Sequence, residues 1–355
     1  ETTKLRNTRK LGEHFTIQQA QDSYVPGMYA INPVSGVERF TDLSDDEVRL
    51  LASYQRKLRI GLKSLDIVLC GLYVEEYTEQ PVTSITLPLH IGRLASRFDV
   101  EVYQPHIESY IKSYNAHDLQ DVIKYDNDIE RCFEGQARSY DAIPYQPSGD
   151  KKHNQEWHET TIDEILEIDD ELELPMAPVG KKYYVCIGGA KNFQAFLCDD
   201  TMSKGEFLDK FTNEIDDVLA PVYEDEDLVV RQDAKYAIPG FYIVSPKKHY
   251  RSIDKMPQEY FDHCMIIAKR VKENVAELGV ETSHIYHDEK YLKPASVHFW
   301  ILPLPRNPEL TSQLSIYSKD IWTYLDTYPR FSETYKQIRD YNDHMRQAMD
   351  QYRYA

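Results

Sequence analysis

A duplicated pattern constrains this chain more than any other feature of its sequence. The segment Pro26-Gly-Met-Tyr-Ala-Ile-Asn-Pro33 matches Pro239-Gly-Phe-Tyr-Ile-Val-Ser-Pro246 at four of eight places, 213 residues later. Two further segments repeat at nearly the same spacing: Val82–Leu89 lies over Val297–Leu304, and Ile123–Asp128 lies over Ile338–Asp343. Because chance matches would scatter in spacing, we interpret the chain as two copies of one unit.

Each copy shows the same order of predicted elements. A strand ends at Pro33 or Pro246, and a helix follows at roughly 45–63 or 257–278. The second helix has an apolar face at three-to-four spacing, which comprises Phe261, Met265, Ala268, Val271 and Val275. A pair of strands comes next, at 67–73 with 83–89 in the first copy and at 283–287 with 296–302 in the second. A tyrosine-rich helical tail completes each copy. The sequence therefore predicts an α+β protein, with two repeats that each hold an antiparallel sheet and packed helices and that pair through their sheet edges as an intramolecular pseudo-dimer.

The composition changes between the two copies. Residues 156–173 carry nine acidic residues and no lysine or arginine, which is typical of a linker or a surface-draped arm. We expect a first repeat at 1–135, an acidic linker or arm at 136–180, and a second repeat at 181–355. Within the second repeat, 182–197 predicts a hairpin around Gly188-Gly189, and 204–219 predicts a helix.

Charge, hydropathy and cysteine content exclude several classes of function. The 59 acidic and 41 basic residues give a net charge of −18, which argues against a protein that binds nucleic acid in bulk. No apolar run approaches the roughly 18 residues that cross a bilayer. The five cysteines form no Cys-x-x-Cys pair, and His153 and His158 lack the ligand spacing of a zinc site. We expect a cytoplasmic protein without a metal or another cofactor.

The segment with the most chemical content is Ser296-Val-His-Phe-Trp-Ile-Leu-Pro303. Alternation along a strand places Ser296, His298 and Trp300 on one face. Upstream, the strand that ends at Pro246 leads into the basic turn Lys247-Lys248-His249.

These two segments resemble motifs of the histidine triad superfamily, which includes the galactose-1-phosphate uridylyltransferase and dinucleoside polyphosphate phosphorylase branches. Those families have a strand ending in Pro-Lys-x-His, a helix, and a strand of the form His-x-His-x-His or His-x-His-x-Gln that is soon followed by proline. Aligned on Leu302-Pro303, the central nucleophilic histidine falls on His298. The resemblance implies covalent nucleotidyl transfer, in which the imidazole attacks an α-phosphate and a second acceptor then displaces the nucleotidyl group.

The sequence departs from the family pattern at two positions of this motif. Ser296 stands at the first histidine and Trp300 at the third, where an indole N–H can donate a hydrogen bond but cannot protonate a leaving group. In the first copy Thr83 stands at the place of His298. We therefore expect any chemistry in the second copy, while the first takes the structural place of a partner subunit.

The sequence yields two groups of candidate site residues. The catalytic candidates are His298, Ser296 and Trp300, of which the last two would orient phosphate. His284 and His287 lie on opposite faces of one strand, so at most one of them faces the site, and we favour His287. The substrate-binding candidates are His249, Lys247, Lys248, His287, Lys290 and Lys293. A buried structural histidine and solvated surface lysines explain the same residues without any function.

Three interpretations follow for the whole chain. The first is an enzyme, a nucleotidyltransferase or hydrolase acting on a nucleoside polyphosphate or nucleotide sugar through His298. The second is a catalytically degenerate module that binds a nucleotide or a protein. The third is a different reaction on the same scaffold, because a fold does not determine chemistry. As a pseudo-dimer the chain would act as a monomer or would pair further as a homodimer.

Overall fold

The computed structural model describes most of both predicted repeats and little of the segment between them. The described residues are 8–20, 23–67, 69–77, 79–90, 107–133, 178–179, 182–186, 195–198, 220–233, 238–248, 250, 252–289, 297–304, 319–327 and 335–352. The predicted helix at 204–219 and the acidic segment at 156–173 lie outside the described residues.

Thirteen strands and six α-helices occur in these ranges. The strands are β1 (Arg9–Leu11), β2 (Phe15–Gln19), β3 (Tyr29–Pro33), β4 (Leu69–Tyr77), β5 (Gln80–Leu89), β6 (Pro178–Val179), β7 (Lys182–Cys186), β8 (Ala195–Cys198), β9 (Tyr223–Glu224), β10 (Leu228–Gln232), β11 (Tyr242–Pro246), β12 (Ser283–Asp288) and β13 (Phe299–Pro303). The helices are α1 (Asp45–Ser64), α2 (Ile107–Lys112), α3 (Leu119–Phe133), α4 (Gln258–Glu277), α5 (Lys319–Thr327) and α6 (Tyr335–Asp350).

Ten of the strands form one antiparallel sheet in the order β1-β2-β3-β5-β4-β12-β13-β11-β10-β9. The N-terminal and C-terminal strands meet where β4 pairs with β12, in a register that sets Tyr73 opposite Tyr286 and Gly71 opposite Asp288. The remaining three strands form a small separate sheet, β6-β7-β8. Among the described helices, none is long and apolar enough to cross a membrane.

The two long helices begin and pack as their sequences dictate. Ser44 forms a capping box with Glu47: its hydroxyl accepts from the Glu47 N–H, and the Glu47 carboxylate accepts from the Ser44 N–H. Helix α4 begins after Pro257 and buries the apolar face that the sequence predicted, which comprises Phe261, Met265, Ala268, Val271 and Val275. Both helices therefore use one apolar stripe to dock on the sheet.

The large sheet is buried on both faces. Its first face carries Leu72, Val74 and Ile285 and belongs to one core cluster with residues of α1 and α4. Its second face carries Tyr73, Tyr286 and Trp300 and belongs to a second cluster with residues of α2 and α5. Side chains alternate between the faces along each strand, so these assignments extend to neighbouring positions.

Two buried ion pairs join the halves on the first face. Arg59 of α1 donates two hydrogen bonds of 2.8 Å to the Glu289 carboxylate, and both side chains are less than 5% exposed. Lys272 of α4 lies 3.0 Å from the Glu76 carboxylate and is equally buried. In each pair the cation comes from one half and the acid from the other. Each carboxylate also accepts a backbone N–H, from Cys70 at Glu289 and from Phe40 at Glu76.

The structure confirms the α+β class and most element positions. The helix predicted at 45–63 spans Asp45–Ser64, and the one at 257–278 spans Gln258–Glu277. The predicted hairpin at 182–197 is present as the paired strands β7 and β8. The sequence did not indicate the outer strands β1, β2, β9 and β10, because they are short and most carry mixed polar and apolar residues.

Removing one charge of the Arg59–Glu289 pair tests how far the junction depends on it. We expect Glu289→Gln to lower the free energy of unfolding by about 3–5 kcal/mol, because it leaves a buried guanidinium without its full countercharge. Urea unfolding measures this loss. Arg49→Gln, which removes an exposed ion pair with Asp46, is the matched control and should leave stability unchanged. Equal, small effects of both substitutions would contradict the role given to the buried pair.

Candidate active site

His298 lies just before β13 on the second face of the sheet and is half-buried. Its ring centroid is 5.8 Å from that of Trp300, its neighbour on the same face two residues along. Trp300 is only 8% exposed. Its ring stacks on Tyr286 at 5.2 Å and meets the edge of Phe241 at 5.9 Å, so the indole is held in a fixed aromatic setting. Ser296 lies outside the described residues.

Strand register places two polar side chains beside His298 that the sequence analysis did not select. The pair Val244–Phe299 on β11 and β13, continued by one residue, brings Ser245 opposite His298. The pair Tyr286–Trp300 on β12 and β13, continued by two residues, brings Asp288 opposite His298 from the other side. Ser245 is 2% exposed and Asp288 is 3% exposed. When the register of the three strands is continued past these last paired residues, a hydroxyl, an imidazole and a carboxylate fall in one row.

His287 contacts the candidate nucleophile from behind. It lies on the first face, where its ring packs against Phe299 at a centroid distance of 5.2 Å. Its Nδ1 is 3.0 Å from the backbone carbonyl oxygen of His298. A carbonyl oxygen only accepts, so Nδ1 carries the proton in this contact. His287 therefore holds the backbone of His298, while His284, which lies opposite Leu302, is the histidine of β12 on the second face.

The basic turn after β11 is committed largely to local contacts. Lys247 Nζ donates to the carbonyl of Asp225 at 2.5 Å and lies 2.9 Å from the Glu224 carboxylate. The Lys248 ammonium lies 5.6 Å from the ring centroid of Tyr250. The other substrate-binding candidates, His249, Lys290 and Lys293, lie outside the described residues.

The N-terminal half contributes directly to the aromatic setting of the site. Tyr73 of β4 stacks on Tyr286 with ring centroids 5.3 Å apart and planes within 11°. The Tyr73 ring folds over Gly71, where an added Cβ would lie 2.0 Å from the tyrosine hydroxyl. Gly71 is therefore required for this stack, which continues through Tyr286 to Trp300.

The end of β12 is anchored next to the site. Glu289 directly follows Asp288, and its carboxylate is held by Arg59 and by the Cys70 N–H. The Glu289 N–H in turn donates to the Cys70 carbonyl at 3.1 Å. These bonds fix the backbone on which Asp288 is carried. Within the described ranges, no group of three or more histidine, cysteine, aspartate or glutamate side chains is arranged to hold a metal ion.

Comparison with known proteins identifies the segment that carries this geometry. Residues 213–303 match a family model described as HIT domain, and this range includes β9 to β13 with Ser245, Asp288 and His298. The resemblance to the histidine triad superfamily is thereby confirmed for this part of the chain. No curated protein sequence matches the chain.

Three solved structures are similar to the chain at low sequence identity. A uridylyltransferase mutant is 9% identical with a TM-score of 0.48, and the match covers 96% of this chain and 90% of that one. An ADP-glucose phosphorylase from Arabidopsis thaliana with bound ADP-glucose is 8% identical with a TM-score of 0.43, over 92% and 82%. A galt-like protein from the same plant is 7% identical with a TM-score of 0.41, over 83% and 75%.

The hydrogen bond from His287 Nδ1 to the His298 carbonyl predicts that two substitutions of His287 differ in their effect on stability. His287→Leu removes the part-buried hydrogen bond to the His298 carbonyl, so we expect a loss of about 0.5–1.5 kcal/mol in the free energy of unfolding. His287→Asn can place an amide N–H near the position of Nδ1 and should lose clearly less. Urea unfolding of the three proteins measures this. Equal losses in both variants would show that packing on Phe299, rather than the hydrogen bond, is what His287 contributes.

Proposed function

We propose that the chain is a nucleotidyltransferase or nucleotide hydrolase that forms a covalent nucleotidyl–His298 intermediate. The substrate class is a nucleoside polyphosphate or a nucleotide sugar. The observation that carries the proposal is the half-buried imidazole of His298 inside the segment that matches the HIT domain model. Continued strand register brings Ser245 and Asp288 to its two sides. Aromatic rings hold one side of the imidazole and a backbone bond from His287 holds its strand, so its orientation is restricted before a ligand arrives.

The proposed reaction has two steps, nucleotidylation of His298 and transfer of the nucleotidyl group to an acceptor. His298, with one ring nitrogen unprotonated, attacks the α-phosphorus; a nitrogen–phosphorus bond forms and the bond from phosphorus to the leaving oxygen breaks. An acceptor hydroxyl, phosphate or water then attacks the same phosphorus and releases the imidazole. Asp288 is placed to stabilise the cationic, nucleotidylated ring. Ser296 and Trp300 orient phosphate, and His249, Lys247, Lys248, Lys290 and Lys293 supply positive charge around it; these roles remain predictions.

We further propose that the first half serves as the structural partner of the second, with repeats at 1–135 and 181–355 and a linker or arm between them. The strand order supports this, because β2-β3-β5-β4 from one end mirrors β10-β11-β13-β12 from the other. The buried pairs support it too. Arg59 and Lys272 are 213 residues apart, and so are Glu76 and Glu289. Tyr73 and Tyr286, which stack on one another, have the same separation.

A degenerate binding module is the second candidate. The observation that favours it is the setting of Trp300, which stands at the third position of the motif and is packed between Tyr286 and Phe241. A side chain used in this way contributes to the core and cannot transfer a proton. On this alternative the same face binds a nucleotide without turnover. Cytoplasmic location and a monomeric or homodimeric state stay predictions under both candidates.

Trapping the intermediate decides between the candidates. The protein is incubated with each α-³²P nucleoside triphosphate and with UDP- and ADP-sugars labelled in the α-phosphate, then quenched in base. We expect a base-stable, acid-labile adduct, because a phosphoramidate has these properties. His298→Ala should reduce it to background, on the order of 10³-fold or more. His117→Ala removes an exposed histidine far along the sequence and serves as the control.

Each result of the trapping experiment supports or contradicts a different candidate function. Nucleotide binding without an adduct in the wild-type protein would favour the binding module. An adduct that persists in His298→Ala would place the chemistry at another residue. Neither binding nor an adduct with any of these nucleotides would contradict both candidates.

A further inference from the structure

Ser245 carries a buried hydroxyl on the second face of β11. It is 2% exposed, and the β11–β13 register, continued by one residue from Val244–Phe299, sets it opposite His298. Within the described part of the chain its Oγ has no hydrogen-bond partner. Leaving a buried hydroxyl unsatisfied is unfavourable, and buried polar groups of this kind are normally paired. An unpaired donor next to a half-buried histidine therefore indicates a ligand that completes the bond.

Arg231 approaches the same place from the next strand. It lies on β10 opposite Ile243, while Val229 lies opposite Ser245. Arg231 and Ser245 are therefore diagonal neighbours on the second face, with Cβ atoms about 7–8 Å apart, a distance that an arginine side chain spans. Burial lowers the pKa of Arg231, and Glu224 opposes this shift.

Within the described ranges, the guanidinium of Arg231 forms no ion pair. Among the described residues no carboxylate lies within ion-pair distance of Arg231, and its Nε has no partner. Glu224, the acid that influences it, is engaged by Lys247 at 2.9 Å. A partly desolvated guanidinium without an anion is costly, and a bound phosphate would relieve that cost.

The corresponding positions of the first half are uncharged. Subtracting 213 from Arg231 and Ser245 gives Gln18 and Asn32, on the paired strands β2 and β3. In the neighbouring strand, where the aligned segments Val82–Leu89 and Val297–Leu304 are 215 residues apart, the place of His298 falls on Thr83. The cation and the imidazole are thus present together in the second half and absent together from the first.

We propose that Arg231 and Ser245 form a diphosphate subsite, in which Ser245 donates to the phosphoryl group facing His298 and Arg231 pairs with the next phosphate of the ligand. The inference rests on the proposed function and assigns two residues of this chain to the linked phosphates of its substrate, one to the reacting phosphate and one to its neighbour. Ser245 supplies a neutral donor to the reacting group, and Arg231 supplies the charge that distinguishes a diphosphate from a monophosphate.

Calorimetric titration with inorganic pyrophosphate and with orthophosphate, at 150 mM ionic strength, tests the subsite without turnover. We expect the wild-type protein to bind pyrophosphate more tightly than orthophosphate. Arg231→Gln, which installs the residue of the first half, should weaken pyrophosphate binding about 10-fold or more and remove that preference. Arg231→Lys should lose less, and Ser245→Ala should weaken both ligands several-fold. Arg49→Gln is the matched arginine control and should bind as the wild type does.

Alanine variants of two buried serines test whether the Ser245 hydroxyl lacks a hydrogen-bond partner within the fold. Ser84 and Ser245 are each 2% exposed, but Ser84 accepts a hydrogen bond from Gln55 at 2.7 Å. Ser84→Ala should lower the thermal midpoint, whereas Ser245→Ala should leave it unchanged or raise it. An equal drop in both variants would overturn the assignment, because it would mean that the Ser245 hydroxyl is already satisfied within the fold.

The remaining outcomes distinguish the subsite from the proposed function. No pyrophosphate binding, or binding that Arg231→Gln leaves unchanged, overturns the subsite even if the His298 adduct forms. Arg231-dependent pyrophosphate binding without any adduct upholds the subsite and removes the transfer reaction. An adduct whose yield falls in Arg231→Gln for UDP- or ADP-sugars supports both.

Discussion

The pairing of β4 with β12 is the contact on which the rest of the structure depends. This pairing joins five strands of the N-terminal half and five strands of the C-terminal half in one ten-stranded sheet. On one face of this junction, Arg59 and Lys272 are buried cations whose partners, Glu289 and Glu76, come from the other half. Burying such charges is unfavourable unless they are paired and hydrogen-bonded, so each half supplies a countercharge for a cation buried in the other.

The same junction sets the geometry of the candidate site on the opposite face. Gly71 leaves space for the Tyr73 ring, which stacks on Tyr286, and Tyr286 stacks on Trp300 beside His298. The Arg59–Glu289 pair fixes the backbone immediately after Asp288. Residues of the first half therefore help to hold the aromatic rings and the backbone beside His298. This arrangement fits the proposal that the first half serves as the structural partner of the second.

Local patterns predicted much of the fold, whereas the site depends on contacts that no local pattern encodes. The buried face of α4 and the strand ending at Pro246 were predicted because periodicity and proline act over a few residues. The outer strand β1, Arg9-Lys10-Leu11, carries no such signal. His298 was identified by a sequence motif. Ser245 and Asp288 align with it only through the register of paired strands, which contacts between distant parts of the chain determine. His287 was expected to face a substrate, but it lies on the face opposite His298. Alternation showed that His284 and Tyr286 share one face of β12 and His287 the other, but it did not show which face carries the site.

The most direct test of the account is ³¹P NMR of the protein labelled with ¹⁵N-histidine, recorded after reaction with a nucleoside diphosphate sugar. The account predicts one phosphoramidate resonance with phosphorus–nitrogen coupling to a ring nitrogen of His298. A phosphoramidate on any other histidine, or bound nucleotide with no phosphorus–nitrogen bond, would contradict it.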